Sequence, residues 1–493
     1  MGSGRIYQHH GGHRSSSCSQ FLTAPRRSEC GAPCVDRLQA TNEGEIVDPQ
    51  ALHTALGNRF VTEGEAIITH ALDSSRAAFT GTPLGVVFAE STADVSTALA
   101  WANAHAVPVS VRGTGTGLTG GAVAYDGGLI ISLERMTQII EIDPANRIAV
   151  VEAGVINADL TSACSEHGLF FPPDPASSRI STIGGNIATN AGGLRCVAHG
   201  VTSDWIAGLT VVLADGRIMQ TGARTRKNVV GYDLTSLFTG SEGTLGIVTE
   251  ATVRLKPLPE GVPVTFWADF DSVGEAGDAV VAIVNSTAGP EVLELMDAFS
   301  VEIIESFNPT GIRVPKGALL VGQTAGSDAL AAAELICTIA KASGAVDAGI
   351  AATDALIEAR RLSNPALNAR GLKISCDVGV PVSSLAEMFR GVEALAAAHG
   401  IRVSSVAHAG DGNLHCTVES PDTPAGIAAA DALIDDITRL ALSFHGTITG
   451  EHGIGSVKQH EVSWQLDEVA RDVQFAIKGA LDPRNILTPG RGI

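Results

Sequence analysis

Aromatic residues make up only 4% of this 493-residue chain. The interior must therefore be built from small and branched aliphatic side chains, and apolar residues reach 45% in total. Long hydrophobic runs are missing. No stretch of about 18 uncharged apolar residues occurs, which excludes a membrane-spanning helix by the usual length criterion. Cations are scarce: 33 Lys and Arg face 53 Asp and Glu, a formal charge of −20. That balance argues against nucleic acid, which is bound through clustered Lys and Arg, and against simple attraction to anionic lipid. Paired cysteines are also absent. The eight thiols (Cys18, Cys30, Cys34, Cys164, Cys196, Cys337, Cys376 and Cys416) show no C-x-x-C spacing. They read as reduced, structural residues of a cytoplasmic protein and exclude an iron–sulfur cluster held within the chain.

Residues 1–46 lack hydrophobic periodicity and are rich in Ser, Gly, His and Arg, the composition of a disordered extension. Arg26 and Arg27 are followed by no apolar segment, so a twin-arginine signal is not supported. Beyond them, "STADVSTALAWANAHAV" opens with a capping Ser and places Val95, Leu99 and Ala102 on one helical face. The segments "PVSV", "GLIISL", "RIAVVEAG", "AGLTVVLADG" and "GIVTEATVRLKP" read as strands. Strands with few long helices between them indicate an α+β arrangement. "KPLPEGVP" is a Pro-rich break. After it the texture alternates strand and helix, as in a smaller α/β cap. The final stretch, "TPAGIAAADALIDDITRLALSFHG" then "GEHGIGSVKQHEVSWQL", is expected to be mostly helical.

Between the first two strands lies "RGTGTGLTGGAV", which contains G-x-G-x-x-G. A Rossmann fingerprint must open a helix. Here Gly121, an Asp126-Gly127 turn and another strand follow instead, so the match is one of spacing only. The loop still suits phosphate, because successive glycines let backbone N–H groups converge on an anion while Arg112 adds charge. Farther on, "HAGDGNLHC" sets His408 and His415 seven positions apart, and "GEHGIG" adds Glu451 and His452. Two imidazoles and a carboxylate make a plausible Zn²⁺ or Mn²⁺ set. By spacing alone, buried structural histidines are an equal reading.

Taken with "FFPPDPASSRISTIGGNIATNAGG" and "KNVVGYDLTSLFTGSEGTLGIVTEATVRLKP", these motifs resemble the FAD-linked D-2-hydroxyacid dehydrogenases. That family includes cytochrome- or quinone-type D-lactate dehydrogenase and the flavin subunit of glycolate oxidase, with a flavin fold of the vanillyl-alcohol oxidase type. The likeness runs from about residue 50 to the C-terminus. It implies a two-part FAD-binding domain over 47–258, a cap or substrate domain over 259–440, and a C-terminal segment, 441–493, that returns to the FAD domain. On this resemblance FAD is wrapped by Arg112, Gly113, Thr114, Gly115, Thr116, Gly117, Gly120 and Gly121. Pro173, Asp174, Ser177, Thr182, Gly184, Gly185, Asn186, Ala188 and Asn190 lie near the flavin. Asp204, Gly246, Ile247 and Val248 face the adenosine half.

Relatives that bind flavin covalently through this loop carry His where Thr114 and Thr116 stand, so noncovalent FAD is expected. His199 replaces a frequent Tyr. The resemblance further implies His408, His415 and Glu451 as ligands of a divalent metal, His452 as base, and Arg360 as the substrate-carboxylate cation. Arg361 is a rival for that last role and Lys373 a weaker candidate. Relatives carry an acid where Cys376 stands. Thr417 replaces an Asn typical of D-2-hydroxyglutarate enzymes, which favours D-lactate or glycolate. A D-2-hydroxyglutarate dehydrogenase and a non-catalytic flavin subunit remain the alternatives. The acceptor class (quinone, cytochrome or partner subunit) is open. A homodimer and peripheral attachment to a membrane are both compatible with the sequence.

Overall fold

The computed structural model describes residues 48–371 and 373–493, except for the side chain of Lys373. The N-terminal extension expected over 1–46 lies outside the described residues, as does the proposed role of the Lys373 side chain.

Three main sheets carry the fold. The first contains Phe60–Val61, Gly85–Phe88, Leu129–Ser132 and Val109–Arg112 in that spatial order. The last three strands are parallel neighbours. The crossover helix Thr92–His105 makes this possible. Ser91 accepts the Asp94 amide at its N-terminus, a cap whose loss costs about 1 kcal/mol. Val95, Leu99 and Ala102 are buried, as the helical spacing predicts. No helix stands between Arg112 and Leu129, so the glycine string opens a loop between strands.

The second sheet is antiparallel, with five strands in the order Ile139–Asp143, Ile148–Glu152, Ile247–Arg254, Ile206–Val212 and Ile218–Gly222. Its apolar face packs on the helices Asn157–Ser165 and Ile183–Thr189. The latter lies within "TIGGNIATNAGG", a glycine-rich stretch of low helix propensity. Thr182 caps it by accepting the Gly185 amide at 3.2 Å, and Asn190 ends it in the left-handed region at φ 50°. Good caps thus support two turns despite a Gly-Gly pair.

The third sheet has seven antiparallel strands: Asp347–Ile350, Val264–Phe270, Ala318–Thr324, Val292–Asp297, Val403–His408, Asn413–Glu419 and Lys373–Gly379. One face buries Cys376, Cys416 and Ala407 under the helices Val273–Val284, Ala329–Ala342, Leu385–His399 and Pro424–Ser443. The other packs Met296 and Val406 against Ala298–Phe307, Ala355–Arg361 and Ser363–Asn368. Strand alternation decides which side chains reach which face.

The last residues rejoin the first sheet, where Leu487 bridges Val109 in parallel. Buried Lys478 fixes this return. Its Nζ donates to the carbonyls of Thr244 and Leu487, both at 2.8 Å, and pairs with Asp482 at 2.6 Å. One expectation holds here only in part. The final stretch is helical at Pro424–Ser443, as expected, and again at Glu468–Leu481, but "GEHGIG" and the residues after it, up to Lys458, form an irregular loop, followed by short helical turns at Gln459–Glu461 and Val462–Gln465.

Candidate functional site

The site grows from the register of the third sheet. Glu294 stands opposite His408, and His408 opposite Asn413. Two residues along the same strand and face as Asn413, His415 stands opposite Asp377. Period-two alternation therefore brings Glu294, His408, His415 and Asp377 to one face across four neighbouring strands. The core cysteines occupy the opposite face. Cys376, where relatives were expected to carry an acid, packs into the core. The acid of that strand is Asp377, one residue on, and it faces the site.

Above this row sits the loop of residues 449–455. Asp377 is fully buried. Its Oδ2 accepts the Thr449 hydroxyl at 2.8 Å and the amides of Gly450, Glu451 and His452 at 3.0, 2.9 and 2.7 Å. Burial alone would raise this carboxyl, but Lys458, together with the His452 and His415 imidazoles once acid protonates them, outweighs burial and holds it well below the usual carboxylate range. Lys458 Nζ donates to the carbonyls of Asp377 and Ile448. Glu242 closes the other end of the loop, accepting the amides of Ile454 and Gly455 at 2.8 and 2.7 Å. It does so from a left-handed backbone at φ 51°, a conformation that costs a non-glycine residue on the order of 1 kcal/mol or more. The carbonyl of Thr119, in the glycine-rich loop, accepts the amides of Ser456 and Val457, and its hydroxyl donates to the His452 carbonyl. A side chain at Gly455 would collide with that Thr119 carbonyl.

This framework aims Glu451 at the two imidazoles. Glu451 Oε1 lies 3.4 Å from His408 Nε2 and 3.3 Å from His415 Nε2. Each histidine faces a carboxylate at its other nitrogen, within hydrogen-bond distance at His408 and beyond it at His415. Glu294 sits 2.7 Å from His408 Nδ1, and Asp377 Oδ1 lies 3.7 Å from His415 Nδ1. Carboxylate–histidine pairs of this kind orient metal-binding imidazoles. Burial opposes protonation of His408, yet Glu294 and Glu451 raise its pKa well above the ordinary value. A pocket that draws a proton so strongly has surplus negative charge. Two imidazole nitrogens and a carboxylate oxygen within 4.8 Å of one another are a donor set that fits a divalent cation.

His452 stacks on His415 with ring centroids 5.0 Å apart. Burial pushes its imidazole down to about 4, against the opposing pull of Asp377, so it is neutral near pH 7. Arg360 is buried beside the row. Its Nε lies 2.8 Å from Glu294 Oε2, and it donates through Nη1 to Ser363. Its Nη2 is buried without a partner. Arg361 points elsewhere and pairs with Asp174 at 2.8 Å. Backbone placement puts Lys373 at the far end of its strand, opposite Glu419.

The expected cofactor residues divide into two groups. Arg112 donates to the carbonyls of His70, Leu72 and Gly113, so its guanidinium fastens the glycine loop from behind. Gly115, at φ 77°, leaves room for it, because a Cβ would strike that guanidinium. Asp174 is engaged by Arg361 and Ser178, and Pro173 offers its carbonyl to Asn157. Asp204 caps the Val201 amide, and Asn190 accepts the Ser203 amide. Ile247 and Val248 are buried strand residues, with Gly246 packed on Val211 just before them. His199 is held by Glu291 and Lys256.

The remaining residues line an open cradle. Thr114, Thr116, Gly117 and Gly121 are half-buried or exposed. A Cβ on Gly117 or Gly121 would meet nothing closer than 3.7 Å, whereas Gly113 and Gly120 are closed in by Thr182 and Ser456. On the facing segment, Ser177, Gly184, Gly185 and Ala188 are half-buried. Asn186 Nδ2 and Ser181 Oγ are buried with no partner. Such orphaned donors suit the acceptor atoms of a flavin nucleotide.

A family model described as FAD linked oxidases, C-terminal domain, matches residues 218–491, and one described as FAD binding domain matches 83–222. The chain belongs to the FAD-linked oxidases. This oxidoreductase is 41% identical over 420 residues to glycolate oxidase subunit GlcD of Bacillus subtilis, covering 83% of its own length and 88% of that protein. It is 37% identical to a D-lactate dehydrogenase of Archaeoglobus fulgidus, covering 82% and 90%. Among solved structures it resembles p-cresol methylhydroxylase, with a TM-score of 0.75 at 19% identity over 90% and 95% of the two chains. That likeness establishes the vanillyl-alcohol oxidase fold.

Two site residues escaped the sequence reading altogether. Glu294 lies in "VLELMD" and Asp377 in "ISCDVGV", and the available signal was an acid inside an otherwise apolar strand. Glu242 escaped too, hidden in a glycine-rich segment.

Proposed function

We propose that this FAD-linked oxidase oxidises a small D-2-hydroxy acid, D-lactate or glycolate, to the 2-oxo acid and passes electrons to an acceptor other than a nicotinamide. The names of the relatives support the substrate class. The observation that carries the reading is the meeting of His408, His415, Glu451, His452 and the free Nη2 of Arg360 around one buried row.

Arg360 binds the substrate carboxylate through that free nitrogen, its planar fork held by Glu294 and Ser363. His408, His415 and Glu451 are the residues that would hold Zn²⁺ or Mn²⁺. Neutral His452 takes the hydroxyl proton, a transfer worth about 10²–10⁴ in rate. When bound, noncovalent FAD supplies the hydride acceptor and the cation makes the substrate hydroxyl more acidic. Asp377 and Glu242 keep the 449–455 loop from moving as the proton is transferred.

No helix among the described residues is long and apolar enough to cross a membrane. We propose a cytoplasmic enzyme compatible with peripheral attachment to a membrane, its acceptor a quinone, a cytochrome or a partner subunit. Thr417, on the face shared with His415, favours short substrates over D-2-hydroxyglutarate.

The test is anaerobic mixing of the yellow protein with D-lactate, L-lactate, glycolate and D-2-hydroxyglutarate, with and without chelator. Bleaching by D-lactate or glycolate that chelator suppresses is the expected outcome. Bleaching by none of the four acids would overturn the reading.

A further inference from the structure

We propose that the loop of residues 224–232 is a lipid-contact finger that seats this enzyme on an anionic bilayer surface. The proposal deepens the acceptor part of the proposed function, on which it rests for the membrane location alone. Val229, Val230 and Tyr232 are 95%, 88% and 93% exposed. Three large apolar side chains at these values, within four positions, are exceptional on a chain whose other large apolar residues mostly sit in cores. Every residue from 224 to 233 is exposed, and a Cβ on Gly231 would meet nothing within 4 Å. The segment therefore stands open to solvent along its whole length.

Charge identifies the occupant. Arg224, Arg226 and Lys227 fall immediately before the apolar tip, with no acid until Asp233. Arg224 is paired with Glu141, and Asp233 is engaged in capping Ser236. Arg226 and Lys227 thus carry the free positive charge of the tip. On a chain of net charge −20, a general attraction to anionic lipid is ruled out, so any attraction is local and oriented. An aromatic ring, two aliphatic side chains and two adjacent cations match the layers of a bilayer interface: acyl boundary, then headgroup phosphate. None of these residues touches the row of His408, His415 and Glu451.

The experiment is co-sedimentation of the full-length holoenzyme with vesicles of phosphatidylcholine alone or with phosphatidylglycerol added, at low and high salt. Binding to the mixed vesicles alone is expected, weakening with salt. Arg226→Glu/Lys227→Glu and, separately, Val229→Ser/Val230→Ser/Tyr232→Ser should each reduce it about tenfold or more, while leaving lipid-free flavin bleaching by hydroxy acid unchanged. Absence of vesicle binding, or equal binding by both variants, overturns the proposal. Self-association that the same variants abolish would assign the finger to a second copy of the chain, and also overturns it. Vesicle binding is read without substrate, so failure of the hydroxy-acid reading leaves this test intact.

Discussion

One fully buried carboxylate, Glu294, touches both His408 and Arg360. It fixes the ring of the first and the fork of the second, so the proposed metal ligand and the proposed carboxylate-binding residue share one anchor. Glu294→Gln keeps the volume but loses the charge. Cation affinity, read by equilibrium dialysis, should fall about 10–100-fold, and KM for the hydroxy acid should rise with it. His452→Ala should behave differently: flavin and cation are retained, and anaerobic bleaching slows by about 10²–10⁴. The histidines and Glu451 could be found from the sequence because glycines flank polar side chains there, which marks a site. Glu294 and Asp377 could not, since a lone acid in an apolar strand is as readily an edge or a solvent-facing residue until register is known. Arg360 was the choice from sequence with Arg361 as its rival, and the turn of their helix sets Arg360 beside Glu294 and Arg361 beside Asp174.

The loop of residues 449–455 shows what decides an irregular element. The final stretch, which includes it, was expected to be mostly helical. Buried carboxylates instead accept the amides that a helix would use: three by Asp377, two by Glu242. Replacing Glu242 by Gln presents a donor to one of those amides. That mismatch costs about 1–3 kcal/mol, and faster hydrogen exchange confined to residues 449–457 should report it. Asp377→Asn should loosen the same segment and also release cation, because Glu451 and His452 hang from that carboxylate. The strands and long helices were legible from period two and period 3.6. This loop was not, since its partners come from two distant parts of the chain.

Over the whole molecule, residues 48–493 form one compact unit, and stability depends on how buried charges are settled within it. Burial raises the Asp297 carboxyl to about 6, opposed by hydrogen bonds from Ser300 and Ser405. The folded state then holds a proton that the unfolded state has released between about pH 4 and 6. Stability should therefore fall as pH rises through that window, by about 3 kcal/mol in total. Asp297→Asn, followed by urea denaturation at several pH values, should remove that part of the slope. Lys478→Met should cost about 3–5 kcal/mol, since it strands buried Asp482, and thermal unfolding should show the loss.

The bridge between Leu487 and Val109 also sets an order of events. The strand that ends in the cofactor loop is made several hundred residues before its edge partner, so a product truncated ahead of Leu487 carries the cofactor loop without the edge that steadies it.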